Sequence, residues 1–265
     1  MSEHADGNAP ELLFEVSDGV GQVTLNRPAA RNALTFAMYA RLAEICREPH
    51  QQGRIHALVI SGAGARAFAA GTDIAQFRDF RDAADALTYE ARIEAVLDAV
   101  ERCPVPTLAA IAGACTGGGA AIAAACDLRL ATRDARFGFP IARTLGNCLS
   151  AANLRRFSAL IGAGRVREMI FTSRLLGAEE ALAAGLVGEL VADHPALLAR
   201  AAELAAQLGE AAPLTLRATK EALRRIACAN PVDDADLVAL CYTSADFREG
   251  LEAFLAKRKP QWKGA

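Results

Sequence analysis

Thr107-Leu108-Ala109-Ala110-Ile111-Ala112-Gly113-Ala114-Cys115-Thr116-Gly117-Gly118-Gly119 is the stretch on which the reading of this chain turns. After Pro104-Val105-Pro106 it opens as a short apolar run, the pattern of a strand buried on both faces, and then breaks into small residues. A second stretch repeats the pattern. Ala57-Leu58-Val59-Ile60-Ser61 is apolar, and the small-residue turn Phe68-Ala69-Ala70-Gly71-Thr72-Asp73-Ile74 follows it. Glycine lets another group approach the backbone closely. At a helix N-terminus the unbonded N–H groups and the helix dipole favour negative charge. Two such turns side by side can therefore aim two N–H donors at one oxygen. On the residues alone two other readings stay open. The glycines can serve only close strand-to-helix packing, or they can cradle a nucleotide phosphate, although no Gly-x-Gly-x-x-Gly opens a helix and no Gly-Lys-Ser/Thr occurs.

Working outward, Leu12–Val16 and Val20–Leu25 flank Asp18-Gly19 and predict a hairpin. Asn32 is placed to cap a helix running to about Arg47. Asp79–Glu101 and Ala120–Cys126 read as helices, Asp127–Ala131 and Ala135–Phe139 as strands. This alternation predicts an α/β fold with covered sheets. Ser150–Ala183 and Ala196–Ala256 read as mostly helical, with breaks at Pro195, Pro213 and Pro231. The expected organisation is an α/β core over residues 1–195 and a C-terminal helical region over 196–265. The apolar faces of that region, on Leu216–Ile226 and Val232–Tyr242, must pack on the core or on a sister subunit.

The bulk numbers narrow the class. A chain of 265 residues can bury a sizeable core, and a net charge of -2 gives no electrostatic reason to expect nucleic acid or an acidic membrane. Seven cysteines at 46, 103, 115, 126, 148, 228 and 241 form no Cys-x-x-Cys or Cys/His cluster. Reduced thiols in a cytoplasmic protein without a metal are expected. Cys103–Cys126 carries no charge but contains two prolines and the triple glycine, so strand, turn and helix explain it better than a membrane span. Met1–Pro10 is polar and reads as a loose tail without a signal segment.

Four motifs in order resemble those of the crotonase (enoyl-CoA hydratase/isomerase) family. They are Leu25-Asn26-Arg27-Pro28 with Arg31-Asn32-Ala33-Leu34, then Phe68–Ile74, then Ala110–Asp127 with its triple glycine and closing Cys126-Asp127, and finally Glu179-Glu180-Ala181 with Gly185-Leu186-Val187. Lys257-Arg258-Lys259-Pro260 sits where the family ends in a basic stretch, so the resemblance runs from about residue 12 to the C-terminus. It implies a crotonase-like spiral of β-β-α turns with a C-terminal helical trimerisation region, hence a homotrimer or homohexamer. It also implies an acyl-CoA thioester substrate, with coenzyme A as part of that substrate and no separate cofactor. By the same resemblance the backbone N–H groups of Thr72 and Gly118 form an oxyanion hole for a thioester enolate. Substrate-binding positions fall at Arg31, Ala33, Ala70, Asp73, Ile74, Gly117, Phe254 and Lys257, with Arg66 and Lys257–Lys263 as candidates for the coenzyme A phosphates.

The match breaks at the acid–base groups. Hydratases of the family carry one glutamate two positions after the triple glycine, where this chain has Ala121, and a second after the Phe-Gly strand, where Ile141 or Ala142 stands. No histidine lies near either segment. The loop Arg143-Thr144-Leu145-Gly146-Asn147-Cys148 offers Arg143, either to hold a substrate carboxylate or to bridge to an acidic neighbour, and Cys148, either as a nucleophile or as a small buried hydrophobe. Glu90, beside Tyr89, is either a base or part of a solvated helix face; Asp73 is either a base or a turn cap. The expected function is enolate chemistry on an acyl-CoA, as a lyase or isomerase of this family. The alternatives are a decarboxylase, a thioesterase-like enzyme, or a weakened acyl-CoA binder.

Overall fold

Strands β1 (Leu12–Ser17) and β2 (Val20–Leu25) pair antiparallel about Asp18-Gly19, both at positive φ (51° and 75°), which suits the twist of a two-residue hairpin. The structure is a computed structural model and describes residues 9–227, 239 and 242–261. Strand β2 continues in parallel to β3 (Ala57–Gly62), β5 (Thr107–Ile111), β7 (Leu128–Thr132) and β10 (Glu189–Val191), giving a six-stranded sheet in the order β1-β2-β3-β5-β7-β10. A smaller sheet holds β4 (Ala67–Ala69), β6 (Ala114–Thr116) and β8 (Arg136–Gly138) in parallel, with β9 (Leu176–Gly177) antiparallel at its edge. Three successive passes of chain thus give one strand to each sheet and then turn into a helix: α2 (Ala83–Glu101), α3 (Gly118–Ala125) and the short α4 (Ile141–Thr144). This is the expected spiral of β-β-α turns.

The apolar runs are explained by burial on both faces. From β3 and β5, Leu58, Ile60, Ala109 and Ile111 enter the core shared with α1 (Phe36–Arg47), α2 and α3. Their neighbours Ala57, Val59, Leu108 and Ala110 face the other way, onto Leu197, Ala201 and Ala205 of α8 (His194–Gly209). A fully buried Leu or Ile stabilises by roughly 1.5–3 kcal/mol, so both faces of each strand contribute.

Two helix starts differ from the sequence reading. Helix α1 begins at Phe36, because Thr35 Oγ1 accepts the Met38 N–H at 3.3 Å. Asn32 is instead fully buried: its Nδ2 donates to Ala67 O at 2.7 Å and Ala63 O at 3.2 Å, and its Oδ1 accepts the Arg27 N–H at 3.0 Å. It ties the loop before α1 to the loop that leads into β4. Helix α2 starts at Ala83 rather than near Asp79, because Asp82 Oδ1 accepts from the N–H groups of Ala84 and Asp85.

The later helices are α5 (Ala151–Ile161), α6 (Ala163–Phe171), α7 (Ala178–Ala183), α9 (Pro213–Ala227) and α10 (Ala245–Leu255). Helix α10 buries Phe247, Gly250 and Ala253, whereas α9 buries nothing and leaves Leu214 and Ile226 more than 70% exposed (76% and 72%). Apart from residue 239 and Tyr242, the face over Val232–Tyr242 lies outside the described residues, as do Cys228, Cys241 and Lys263. The uncharged stretch Cys103–Cys126 resolves into β5, β6 and α3. Among the described residues no helix is long and apolar enough to cross a membrane, and no group of His, Cys, Asp or Glu is placed to hold a metal ion.

Candidate active site

Both glycine turns end strands of the small sheet, and they meet backbone to backbone. A Cβ on Gly117 would lie 3.2 Å from Gly71 Cα, tighter than an ordinary contact, and one on Gly71 would lie 3.9 Å from Gly117 Cα. Gly117 holds φ 53° and ψ -125°, a conformation that suits glycine, and from it α3 departs. The rest of the run is glycine for lack of space. A Cβ on Gly118 would collide with the Tyr39 hydroxyl, and one on Gly119 would lie 2.7 Å from Ala69 Cβ.

This packing brings Thr72 and Gly118 together: a Cβ on Gly118 would lie 3.2 Å from Thr72 Oγ1. Leu34 N–H donates to Gly71 O at 2.8 Å and Asp73 N–H to Leu34 O at 2.9 Å, a parallel bridge that turns the N–H of Thr72 away from Leu34. Gly118 opens α3, and the first N–H to find a partner in that turn is Ala121, bonded to Gly117 O at 3.0 Å. Thr72 and Gly118 both line a cavity of about 170 Å³. Two N–H donors on one small cavity can polarise a carbonyl oxygen placed between them.

The rest of the lining is built from side chains. Phe77, Ile93, Ala121, Phe139, Ile141 and Leu145 make it largely apolar. Ala121 and Ile141, the positions at which the resemblance implied carboxylates, line this cavity, and both are buried. The polar groups come from elsewhere. Glu90 of α2 lines the cavity, and its Oε1 accepts the Tyr242 hydroxyl at 2.7 Å; Asn147 Nδ2 donates to that hydroxyl oxygen at 3.2 Å. Thr72 Oγ1 lies 2.9 Å from the hydroxyls of both Tyr39 and Tyr89. The chain has three tyrosines, and all three stand in these two hydrogen-bonded groups, Tyr39 and Tyr89 on Thr72 and Tyr242 on Glu90 and Asn147. Burial, first of all, pushes each of the three phenols above its ordinary range, so they stay protonated at neutral pH. Phe77, Phe80 and Phe247 hold Tyr89 and Tyr242 in place by ring contacts with centroids 4.8–6.2 Å apart.

Several expectations change here. Glu90 is no solvated bystander: it is the one carboxylate among the described residues that line the cavity. Asp73 lies outside that lining. Its Oδ2 takes Arg27 Nη1 at 2.9 Å and its Oδ1 caps the following turn at Ala75 N–H, which favours the turn-cap reading over the base. Arg143 also stands off the cavity and meets neither a carboxylate nor the lining; its Nη2 donates to Ser173 O at 3.3 Å, because the short helix α4 turns it toward the end of α6. Cys148 lines the cavity, half-buried. Ala70, Ile74, Gly117 and Phe254 line it too, whereas Arg31, Ala33 and Lys257 lie outside the lining. Arg31 and Lys257 are exposed at left-handed φ, and Arg31 O accepts the Ala70 N–H at 3.0 Å. Sequence reasoning missed Tyr39, Tyr242 and Asn147; the rarity of tyrosine in the chain is the one signal that pointed to the first two.

Compared with known proteins, residues 15–265 match the family described as Enoyl-CoA hydratase/isomerase. The chain is 35% identical over 267 residues to the enoyl-CoA isomerase/hydratase fer4 of Mycosarcoma maydis, with 96% of each chain covered. It is 31% identical over 259 residues to the short-chain-enoyl-CoA hydratase of Clostridium acetobutylicum, covering 94% of this chain and 95% of that one. Among solved structures, an enoyl-CoA hydratase/carnithine racemase from Magnetospirillum magneticum superposes with a TM-score of 0.78 at 34% identity, and 97% of each chain is covered.

Proposed function

The chain belongs to the enoyl-CoA hydratase/isomerase family, and from that premise we propose that it is an enzyme acting on an acyl-CoA thioester through an enolate held between the N–H groups of Thr72 and Gly118. The observation that carries this reading is the meeting of the two glycine turns on one cavity, with Ala121 and Ile141 in place of carboxylates. The donors polarise the thioester carbonyl; as the α-carbon loses a proton, the negative charge gathers on that oxygen. One such donor is worth about 3–4 kcal/mol of transition-state stabilisation. Coenzyme A enters as part of the substrate, with no further cofactor. Decarboxylation aided by Arg143 loses its support, since that guanidinium lies off the cavity.

Isothermal titration with acetyl-, butyryl- and crotonyl-CoA, joined to hydration and α-proton exchange assays, tests the reading. Binding together with α-exchange is expected; no heat with any thioester refutes it. The subunit is proposed to work as a trimer or hexamer, on the strength of the family and of the apolar residues Leu214, Leu223 and Ile226 that α9 leaves exposed. A monomer mass by light scattering at micromolar concentration refutes that.

A further inference from the structure

We propose that Glu90 is the acid–base residue of this cavity and that Tyr242 positions it, so that the proton chemistry is run from α2 and the C-terminal segment rather than from the positions of Ala121 and Ile141. The inference rests on the thioester reading above and names the group which that reading leaves unassigned.

The argument begins with what an enolate needs. A base must take a proton from the α-carbon at the cavity that the two backbone donors share. Among the described residues lining it, Glu90 alone brings a carboxylate. Its carboxyl is oriented: Oε1 receives the Tyr242 hydroxyl at 2.7 Å, and that hydroxyl is itself fixed by Asn147 Nδ2 at 3.2 Å. The direction of this chain of bonds follows from chemistry. A carboxylate only accepts, so the tyrosine must donate to it, and Asn147 must donate to the tyrosine. Tyr242 cannot take the base's place while its phenol stays neutral. Glu90 also follows Tyr89 on α2, whose hydroxyl lies 2.9 Å from Thr72 Oγ1, and both Glu90 and Thr72 line the one cavity.

The step balances without a co-reactant. The α-carbon's C–H bond breaks and an O–H bond forms on Glu90. The electron pair moves into the thioester, whose oxygen becomes the enolate held by the two N–H groups. Returning the proton to the α-carbon, or to the γ-carbon of an unsaturated acyl chain, restores the carboxylate. One carboxylate thus completes a proton shift. Water addition would ask for a second group to activate the water, and Ala121 and Ile141 supply none.

The test follows deuterium entering the α-carbon of butyryl-CoA in heavy water, with binding of the same thioester measured by titration calorimetry. Glu90→Gln is expected to lower exchange by about 10²–10⁴-fold with binding kept. Tyr242→Phe, which keeps the ring, is expected to lower kcat by roughly 10-fold to 100-fold at unchanged KM, a split that loss of packing alone would not give. Exchange in Glu90→Gln within about threefold of the parent overturns the proposal. So does a parent protein that binds butyryl-CoA but exchanges nothing. If Glu90→Gln does not fold, an unchanged kcat in Tyr242→Phe overturns it instead. A parent protein that binds no thioester removes the thioester reading itself, and with it this inference.

Discussion

The two walls of the cavity are made differently. One is backbone: the turns at Gly71-Thr72 and Gly117-Gly118, closed on each other so tightly that a methyl group at Gly118 would meet the Tyr39 hydroxyl. The other is side chain: Glu90, Tyr242 and Asn147, brought from α2, the C-terminal segment and the loop after α4. In the proposed reaction the backbone wall handles the carbonyl, which every thioester has. Its donors do not depend on side-chain identity, only on glycines that let the turns close. In the same proposal the side-chain wall handles protons, from a carboxylate that reaches the cavity on α2. On the proposed reading, a chain with Ala121 and Ile141 at the positions where the resemblance implied carboxylates keeps the place for an enolate.

Breaking the backbone wall should have the largest effect. Gly118→Ala is expected to lower α-proton exchange by about 10²–10³-fold, or ~3–4 kcal/mol, as Tyr39 and the turn push the N–H off its line. Adding Tyr39→Phe should recover about 1 kcal/mol of this, a coupling that a double-mutant cycle on exchange rates measures. Full activity in the single variant would break the account of this wall. Next comes the anchor of the side-chain wall. Arg156 of α5, only 5% exposed at its side chain, pairs with Glu94 and Glu101 of α2, the helix that carries Glu90. Arg156→Ala should cost about 2–3 kcal/mol in urea unfolding, the low side of buried-pair values because Glu94 is 34% exposed.

The comparison is sharpened by giving the chain back a carboxylate. Ala121→Glu should raise crotonyl-CoA hydration by roughly tenfold or more, if the lost groups and not the cavity limit that reaction. No gain would mean the cavity no longer admits water at the β-carbon. The smallest effect is expected from Arg143→Ala. One bond to a carbonyl at 3.3 Å is worth about 0.5–1 kcal/mol, so thermal unfolding should move little and turnover should not change.

Strands β1, β2, β3, β5, β7 and β8 and both glycine turns were legible in the sequence because their signals are local, whereas β4 and β6 overlap the stretches read as turns, β9 lies in one read as helical, and β10 was not read. A strand buried on both faces is a short apolar run, and a turn with no room for a Cβ must spell glycine. Glu90 was visible on its helix but could not be told from a solvated residue: helix α2 has a polar surface over most of its length, and what faces Glu90 is Tyr242, 152 residues away. Arg143 misled for the opposite reason. It stands next to cavity-lining Thr144 and Leu145, yet a single helical turn points it elsewhere. Asn32 looked like a helix cap and proved to be a buried bracket between loops, since a free amide satisfies backbone groups in either setting.

By itself the sequence determined the family, the spiral of β-β-α turns and the place of the two glycine turns, because each depends on residues close together along the chain. It also determined what is missing, since Ala121 and Ile141 can carry no proton whatever surrounds them. Only the tertiary structure decided which side chains share the cavity with the two turns. The carboxylate, its tyrosine and the asparagine that orients it come from three separate elements, and no spacing along the chain records that packing sets them 2.7 and 3.2 Å apart.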